Sequence, residues 1–286
     1  TFPSSLKTNL EDIKCHAFPE STTGSRFPDD VAYSFRVRHE KGFHNATACF
    51  ECRRDKQKAR GCTQRSLVLL SRYPFFALFR NILVEHIAPS FFRNGVPTLE
   101  AAYEAISSWP DLNKTKDKIL SLPLFGSVMR FQVPKRRHHE NEIDDVSLFV
   151  LVGDTSLMWD LCEIMLSSEP LIVFGQSPEQ CSRVILSLVS LISPLVSACD
   201  FRPYLSIQSK VADTIIQAHD AGEQLPVVIG VTNQLWLKSL PRWPNVLVLG
   251  QAKILSKERK SSNVRVIDPE EHVLKSLPKE FERNGT

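Results

Sequence analysis

The sequence predicts an α/β fold, with an α+β arrangement first and a three-layer α/β arrangement after it. Three short runs, at residues 171–174, 227–231 and 246–249, are continuously apolar, with Gly230 the one residue without an apolar side chain, rather than apolar at alternate positions. Strands of this kind are covered on both faces, which is typical of a parallel sheet between helices. A helix-period segment at 178–192 follows the first run and supplies one such cover.

The N-terminal part predicts a small antiparallel sheet. Residues 1–30 are rich in Ser, Thr, Pro and Asp, and predict turns that contribute little to a core. Strand patterns follow at 31–38, 47–53 and 64–71, which together predict a meander. Pro74 then opens an amphipathic helix whose apolar side carries Phe75, Leu78, Phe79, Ile82 and Ile87.

The middle of the chain predicts a short helix and two charged segments. A helix is expected at 98–108, with Thr98 as N-cap, followed by a charged linker at 111–118. Residues 135–145, KRRHHENEIDD, predict a solvated loop because they have no apolar spacing. A strand at 148–152 and a helix through Trp159 and Met165 lead into the parallel sheet, and the tail from 253 predicts no assigned element.

Composition narrows the function. A length of 286 residues with 42% hydrophobic residues favours two domains, and 35 basic against 32 acidic residues give a charge of only +3. Basic and acidic residues are thus nearly equal in number, which argues against nucleic acid as a partner. The most apolar segment, 184–199, is interrupted by Pro194 and is shorter than the roughly 18 apolar residues of a membrane span, so no integral membrane segment is predicted.

Cysteine usage and the chain start indicate a reducing compartment and a fragment. The seven cysteines are an odd number, and several have apolar neighbours, as expected for reduced thiols in a cytoplasmic protein. The first residues lack an initiator Met and the pattern of a signal peptide, so the sequence is expected to be a piece of a longer chain.

Residues 174–178, FGQSP, lie where a nucleotide-binding loop would connect a strand to a helix. The Gly-x-x-x-x-Gly-Lys signature is absent. Ser177 as N-cap and Pro178 in the first helical turn account for the sequence as a turn, which is the favoured interpretation.

A metal site is a second possibility that the pattern disfavours. Cys49, Cys52, Cys62 and His44 have the donor types of a zinc site. In a strand, however, Cys49 and Cys52 point to opposite faces, and no second Cys-x-x-Cys is present. Structural thiols are favoured, and neither a metal nor a cofactor is predicted. With no Gly-x-Ser-x-Gly elbow and no matched carboxylate pair, covalent or acid/base chemistry is not predicted either.

Arg60-Gly61 follows a basic run and has two interpretations. An arginine on a loop beside a GTPase can enter its active site and neutralise transition-state charge. A charged, solvated turn between two strands explains the same residues. Both interpretations stay open.

Motifs along most of the chain resemble the longin-plus-DENN arrangement, especially the sixth DENN-domain-containing subfamily. The N-terminal matches are Phe18-Pro19-Glu20-Ser21, Ser34-Phe35-Arg36-Val37-Arg38, Arg60-Gly61, Gln64-Arg65-Ser66-Leu67-Val68-Leu69-Leu70-Ser71, Leu99-Glu100-Ala101-Ala102 and Leu122-Pro123-Leu124-Phe125-Gly126. The C-terminal matches are Ser177-Pro178-Glu179, Ile192-Ser193-Pro194-Leu195, Asp200-Phe201-Arg202-Pro203-Tyr204, Gly230-Val231-Thr232-Asn233 and Trp243-Pro244.

The resemblance implies a domain organisation and a function. Residues 1–95 would be an N-terminally incomplete longin-like module, 96–118 a helix and charged linker, and 119–286 the central DENN module without its C-terminal helical lobe. Proteins of this type are guanine-nucleotide exchange factors for Rab GTPases in membrane trafficking, and grip the switch regions between the two modules. The expected protein is cytoplasmic, with peripheral recruitment to endosomal membranes.

The predicted GTPase-binding sites are two segments, residues 200–204 and 232–236, because buried strands deliver both to a sheet edge. Phe201, Tyr204 and Trp236 would be aromatic anchors, and Asp200 or Arg202 charged partners for the switches. Thr232 and Asn233 complete the predicted set. The structural alternative, in which Arg202 pairs with Asp200 and Tyr204 packs under a helix, stays open.

Two other functions fit the same architecture. Folliculin-type longin-DENN proteins stimulate GTP hydrolysis with an arginine at the position that resembles Arg60. A scaffold would bind trafficking proteins without changing any nucleotide state.

Overall fold

A computed structural model of the chain describes residues 9–20, 30–40, 42–58, 61–111, 119–133, 155–249 and 265–267. An antiparallel sheet backed by helices comes first, and a parallel sheet with helices on both faces follows it. The predicted α/β fold class is confirmed. The predicted strand at 148–152 and most of the two charged segments lie outside the described residues.

The antiparallel sheet is the predicted meander, with β1 Asp30–His39, β2 Gly42–Arg54 and β3 Cys62–Ser71 paired in chain order. Alternate positions divide its two faces as a strand's period of two requires. Tyr33 and Phe35 are buried on one face, and Cys49 and Leu67 on the other. The prediction that Cys49 and Cys52 point to opposite faces is confirmed, since Cys52 packs with the cluster of Tyr33 and Phe35.

The helical layer follows β3 as α2 Phe76–Asn81, a π-helical turn Ile82–Ile87 and α3 Ala88–Asn94. The predicted apolar side is buried against the cluster of Cys49 and Leu67, as Phe79, Ile82 and Ile87 show. The π turn ends just before Pro89, which has no N–H to donate back to the Glu85 carbonyl.

Helix α4, Val96–Ser107, begins earlier than the sequence predicts. Gly95, at a φ of +73°, ends α3 and starts α4 at once, and Pro97 occupies the first turn. The prediction of Thr98 as N-cap is therefore wrong, and Thr98 is buried inside the first turn.

A hairpin that the sequence analysis missed follows, with β4 Ile119–Leu124 and β5 Ser127–Gln132. Its turn residues Phe125 and Gly126 have φ of +48° and +79°, as a type I′ turn requires. Leu122 and Phe131 pack into the same cluster as α2–α4. The predicted division of the chain into domains at 95 and 119 stays a prediction.

The parallel sheet has the strand order β10-β9-β6-β8-β7 in the described part of the chain. Its strands are β6 Leu171–Phe174, β7 Asp200–Arg202, β8 Val227–Val231, β9 Asn245–Val248 and β10 Arg265–Ile267. Helices α5 Thr155–Leu166 and α6 Pro178–Leu191 cover one face, and α7 Lys210–Asp220 and α8 Leu235–Ser239 cover the other. The three predicted layers are therefore present, and Ser177 caps α6 as predicted by accepting from Gln180 N–H at 3.2 Å.

The prediction of turns with little core at residues 1–30 is wrong for 9–20, because α1 spans Leu10–Ala17, while 1–8 and 21–29 lie outside the described residues. Asn9 caps it by accepting from Asp12 N–H, and its acids and bases lie at the ends that the helix dipole favours. The helix buries His16 and Ala17, with the His16 ring stacked on Phe35 at 5.3 Å between centroids.

Helix α6 joins the two sheets. One side packs on the parallel sheet through Val184 and Leu188, and the opposite side lies along β1, beside Ala32 and Ser34. Arg80 of α2 donates to Glu179 in the first turn of α6 at 2.8 Å. None of the helices in the described residues is long and apolar enough to cross a membrane.

Gly230 is required where β8 meets the segment after β7. A Cβ built on it would lie 2.1 Å from the Pro203 carbonyl oxygen, which is backbone and cannot rotate away. We expect Gly230→Ala to lower the free energy of unfolding by more than about 3 kcal/mol, measured by urea denaturation. Gly222→Ala, at a positive φ but in open space, should cost only about 1 kcal/mol. An equal effect of both changes would contradict this account.

Glu51 is a buried carboxylate held between two arginines. Its Oε1 accepts from Arg53 Nε at 2.8 Å and its Oε2 from Arg65 Nε at 3.1 Å. Burial would raise the pKa of Glu51, but the hydrogen bonds and charges of Arg53 and Arg65 outweigh it and lower this pKa.

We expect Glu51→Gln to cost about 1–2 kcal/mol at pH 7, because both arginines lose a charged acceptor but stay half exposed to water. A folded-state pKa below the unfolded value gives stability that is present above about pH 4.3 and is lost at lower pH. The difference between wild type and Glu51→Gln should therefore shrink below about pH 4, in urea denaturation at several pH values. Glu104→Gln, on the exposed side of α4, is the matched control, and a pH-independent difference for Glu51→Gln would contradict the account.

Candidate functional site

The candidate site lies where the β1–β2 hairpin meets β7. The predicted binding loop at 200–204 begins as strand β7, which pairs with β8 at the edge of the parallel sheet. Across from it, the guanidinium of Arg36 in β1 lies over the ring of Phe201 and over the ring of Phe43 in β2. We call Arg36, Phe43, Asp200, Phe201 and Arg202 the junction cluster.

Arg36 is the centre of the junction cluster. Its guanidinium carbon lies 4.1 Å from the centroid of the Phe43 ring and 3.9 Å from that of Phe201, so it is stacked between both rings. Its Nη1 donates to the Phe201 carbonyl oxygen at 3.0 Å. Burial lowers the pKa of Arg36 to about 10, with the Asp200 charge opposing this and Arg202 adding to it, so Arg36 is charged at neutral pH.

Arg202 shares a carboxylate with Arg36. Its Nε and Nη2 donate to Asp200 Oδ2 at 3.0 and 2.9 Å, and its Nη1 to the Arg36 carbonyl oxygen at 3.3 Å. Arg36 Nη1 lies 3.8 Å from Asp200 Oδ1, an atom that is buried and accepts no hydrogen bond from the described residues. Two guanidiniums thus face one carboxylate, and the three groups carry a net charge of +1.

Exposure differs along this cluster. The Asp200 side chain is 38% exposed, whereas that of Arg202 is 4% exposed. Phe43 and Phe201 are half-buried. The pairing of Arg202 with Asp200 is the contact that the structural alternative expected. Contact of Asp200, Phe201 or Arg202 with a GTPase stays a prediction.

Three other predicted residues lie in the interior. Tyr204, Thr232 and Trp236 are each 0% exposed. The Tyr204 ring packs edge-on against Tyr33 at 5.2 Å between centroids, and Trp236 belongs to the core beneath α7 and α8. As anchors these side chains would have to leave a packed interior, so their predicted contact with a GTPase gains no support from their placement.

Their polar groups instead hold the segment before β1. Tyr204 Oη accepts from the Glu20 N–H at 2.9 Å, and the Thr232 hydroxyl donates to the Glu20 carbonyl oxygen at 3.0 Å. Glu20 Oε1 accepts from the Ser206 hydroxyl at 2.6 Å and from Ile207 N–H at 3.0 Å. We call residues 9–20, which are the cap and body of α1 and the three residues after it, the strap.

Asn233 is half-buried beside this contact. Its Oδ1 accepts from Leu235 N–H at 3.0 Å, at the start of α8. Burial raises the pKa of the Glu20 carboxyl, and hydrogen bonds from Ser206, Ile207 and Asn233 oppose that rise. The role of Asn233 in GTPase binding stays a prediction.

Sequence reasoning did not single out Arg36, Phe43 or Glu20 as site residues. Arg36 and Glu20 belong to quoted motifs, and an arginine among the apolar positions of β1 was the available signal. Phe43 follows the hairpin turn and carried no signal of its contact with Arg202, which lies 159 residues later (202 minus 43). Arg60, the alternative arginine finger, lies outside the described residues.

Two candidate zinc ligands, Cys49 and Cys52, lie on opposite faces of the antiparallel sheet. Cys49 is buried in the core, and Cys52 and Cys62 are half-buried. Within the described ranges, no group of three or more His, Cys, Asp or Glu side chains could hold a metal ion.

Known proteins resemble the chain over most of its length. Human DENND6B is 31% identical over 304 residues, which cover 94% of this chain and 51% of that protein. DENND6A of Gallus gallus is 29% identical over 317 residues, covering 92% and 52%, and the DENND6 homolog of Dictyostelium discoideum is 27% identical over 323 residues, covering 82% and 44%. No protein-family model matches the chain. The chain spans about half the length of the curated relatives it matches.

The similarity extends over both sheets and their connecting helices, and it reaches proteins of distant organisms. It defines the class: the chain is a DENN-domain protein. Each of these relatives carries the same subfamily name. The chain belongs to the DENND6 subfamily, which confirms the resemblance seen in its motifs.

Asp200→Asn should destabilise the junction, because Arg36 and Arg202 would then face each other without a carboxylate. We expect a loss of about 1–3 kcal/mol in the free energy of unfolding, less than for a fully buried pair because Asp200 is 38% exposed. Urea denaturation at pH 7 measures it. Asp213→Asn, on the exposed side of α7, should change stability by less than about 0.5 kcal/mol. A loss no larger than that control would show that the two arginines need no shared carboxylate.

Proposed function

We propose that the protein is a guanine-nucleotide exchange factor that promotes GDP release from a Rab-family small GTPase in membrane trafficking. Its membership of the DENN-domain proteins, a family of Rab exchange factors, supports the reaction. Such a factor makes and breaks no covalent bond, since it binds the nucleotide-free GTPase more tightly than the GDP-bound one. We propose no cofactor and no metal for it.

The junction cluster is the observation that carries the proposal. It brings two half-buried aromatic rings and two guanidiniums to the line where residues of the proposed longin module, 1–95, meet the proposed DENN module, 119–286. Protein interfaces are enriched in aromatic and arginine side chains at their centres. The net positive charge of the cluster favours an acidic side chain from the partner.

Within this proposal five of the seven predicted site residues divide into two groups. Phe201 and Asp200, with Phe43 and Arg36 beside them, are the surface that touches the switch regions of the GTPase. Tyr204, Thr232 and Trp236 support that surface from the interior, because each is fully buried. We also propose that the protein acts in the cytoplasm and is recruited peripherally to endosomal membranes.

The decisive experiment measures the release of fluorescent GDP from a panel of Rab GTPases. The full-length protein and the present chain are added in parallel. We expect acceleration confined to one or two Rabs. Equal rates with and without the full-length protein for every Rab would overturn exchange. A gain in GTP hydrolysis that Arg60→Ala removes would then establish the GTPase-activating alternative, and stable binding without a change in either rate would establish a scaffold.

Phe43→Ala and Phe201→Ala test the surface itself. Each removes an exposed part of a ring at the proposed centre of contact, so we expect at least a tenfold loss in the acceleration of GDP release per mole of protein. Phe125→Ala, at the tip of the β4–β5 hairpin and 42% exposed, is the matched control and should retain at least half of the activity. If both junction changes match this control, the GTPase binds elsewhere.

A further inference from the structure

We infer that Glu20 is a positioning residue: it fixes the strap on the carboxyl edge of the parallel sheet and thereby holds Arg36 and Phe43 beside Asp200 and Phe201. The inference rests on the proposed function for its activity test. Its structural part stands on contacts that any function of this junction would share.

The strap is hydrogen-bonded to the parallel sheet through both the main chain and the side chain of Glu20. Glu20 receives hydrogen bonds at its carboxylate from Ser206 and Ile207 and at its carbonyl from Thr232, while its own N–H is accepted by Tyr204. These partners come from the segments that follow β7 and β8. One residue therefore connects two neighbouring strand ends.

The same strap is packed on the antiparallel sheet. Ile13 and His16 lie against the face of β1 that carries Phe35, and the Tyr33 hydroxyl donates to the His16 carbonyl oxygen at 2.8 Å. Phe18 meets Phe50 of β2 edge-on, at 6.1 Å between ring centroids. The strap thus spans from strands β1 and β2 to the ends of β7 and β8.

The link to the junction cluster runs along one strand. Arg36 is the residue after Phe35 in β1, and its side chain donates to the Phe201 carbonyl oxygen in β7. The segment that follows β7 holds Glu20 through Ser206. The hydrogen bond from Arg36 to the Phe201 carbonyl oxygen has narrow geometry, since it is lost when donor and acceptor move apart by about 0.6 Å. Release of the strap from Ser206 and Ile207 would therefore remove one of the restraints that keep β1 beside β7.

A carboxylate suits this task because its partners are neutral donors rather than a cation. A paired cation could follow the carboxylate to another position, whereas Ile207 N–H has a fixed direction in the backbone. Glutamine in place of Glu20 retains an oxygen at the Oε1 position, so Glu20→Gln should keep the position and Glu20→Ala should lose it.

The test compares Glu20→Ala, Glu20→Gln and Glu11→Ala in the full-length protein. Glu11 is exposed on α1 and pairs with Lys14 alone among the described residues, so it is the matched control. We expect Glu20→Ala to speed amide hydrogen exchange at least tenfold at Ile207 and also in the peptide covering 36–44. GDP release should lose at least tenfold in efficiency through a weaker GTPase affinity, with the maximal rate within twofold of wild type.

Rescue separates positioning from general instability. Glu20→Gln should recover to within threefold of wild type in both measurements, and Glu11→Ala should stay within twofold. Ser206→Ala removes the hydroxyl that donates to Glu20 and accepts from Gln208 N–H. It should give a smaller change in the same direction and serves as the second variant if Glu20→Ala does not fold.

Three results would overturn the inference. Faster exchange at Ile207 with unchanged exchange at 36–44 would show that the strap does not hold the hairpin. Faster exchange in both places with GTPase affinity within twofold of wild type would show that the junction does not need this restraint. A Glu20→Gln variant as impaired as Glu20→Ala would show that acceptor geometry is not what matters. Absence of GTPase binding by the wild type would overturn the proposed function alone, since the hydrogen-exchange comparison needs no GTPase.

Discussion

The structure depends on the burial of helix α6 on two opposite sides. Val184 and Leu188 pack into the parallel sheet, as one side of any helix in a three-layer fold must. The side that would ordinarily meet water instead lies along β1, where Ser182 and Leu186 line a narrow cleft with Ala32. The two sheets therefore share a helix, and separating them would expose the apolar part of its outer side.

Helix α6 holds the two sheets together, and the polar contacts around it determine the angle between them. Apolar packing is not directional, so α6 brings the sheets together without choosing one exact angle between them. The directional contacts lie around it: Arg80 with Glu179 at one end of the helix, the junction cluster at β7, and the strap at the ends of β7 and β8. Each contributes little net free energy, but a wrong angle would leave buried donors and acceptors unpaired at considerable cost.

The sequence predicted those parts of the fold whose pattern is local. The three meander strands, the central strands β6, β8 and β9 of the parallel sheet and the cap at Ser177 follow from hydrophobic period and turn chemistry alone. Strands β7 and β10, of three residues each, were not predicted. Helix α1 was missed because only eight residues carry its period, between segments rich in Ser, Thr and Pro. Its stability comes from His16 and Ala17 packing on a distant sheet, which no local pattern reveals.

The site was predictable to the segment but not to the residue. Asp200-Phe201-Arg202 stood out because buried strands lead to sheet edges, and it does lie at the junction. Whether an aromatic residue at an edge points outward depends on what covers it. Tyr204 is covered by Tyr33 and by the strap, and those covering residues lie more than 170 positions earlier in the chain. The same chain separation hid Arg36 and Phe43.

The electrostatics of the junction follow from this geometry. Two guanidiniums at a packed interface would repel each other strongly if both were bare, and one shared carboxylate removes most but not all of that cost. Arg36 is stabilised further by the faces of two aromatic rings, which lower the cost of burying its charge without cancelling the charge itself. The residual +1 lies between two half-buried rings at the line where the sheets meet. In the proposed function this cluster is the binding surface, and an acidic group from the partner would neutralise its residual charge.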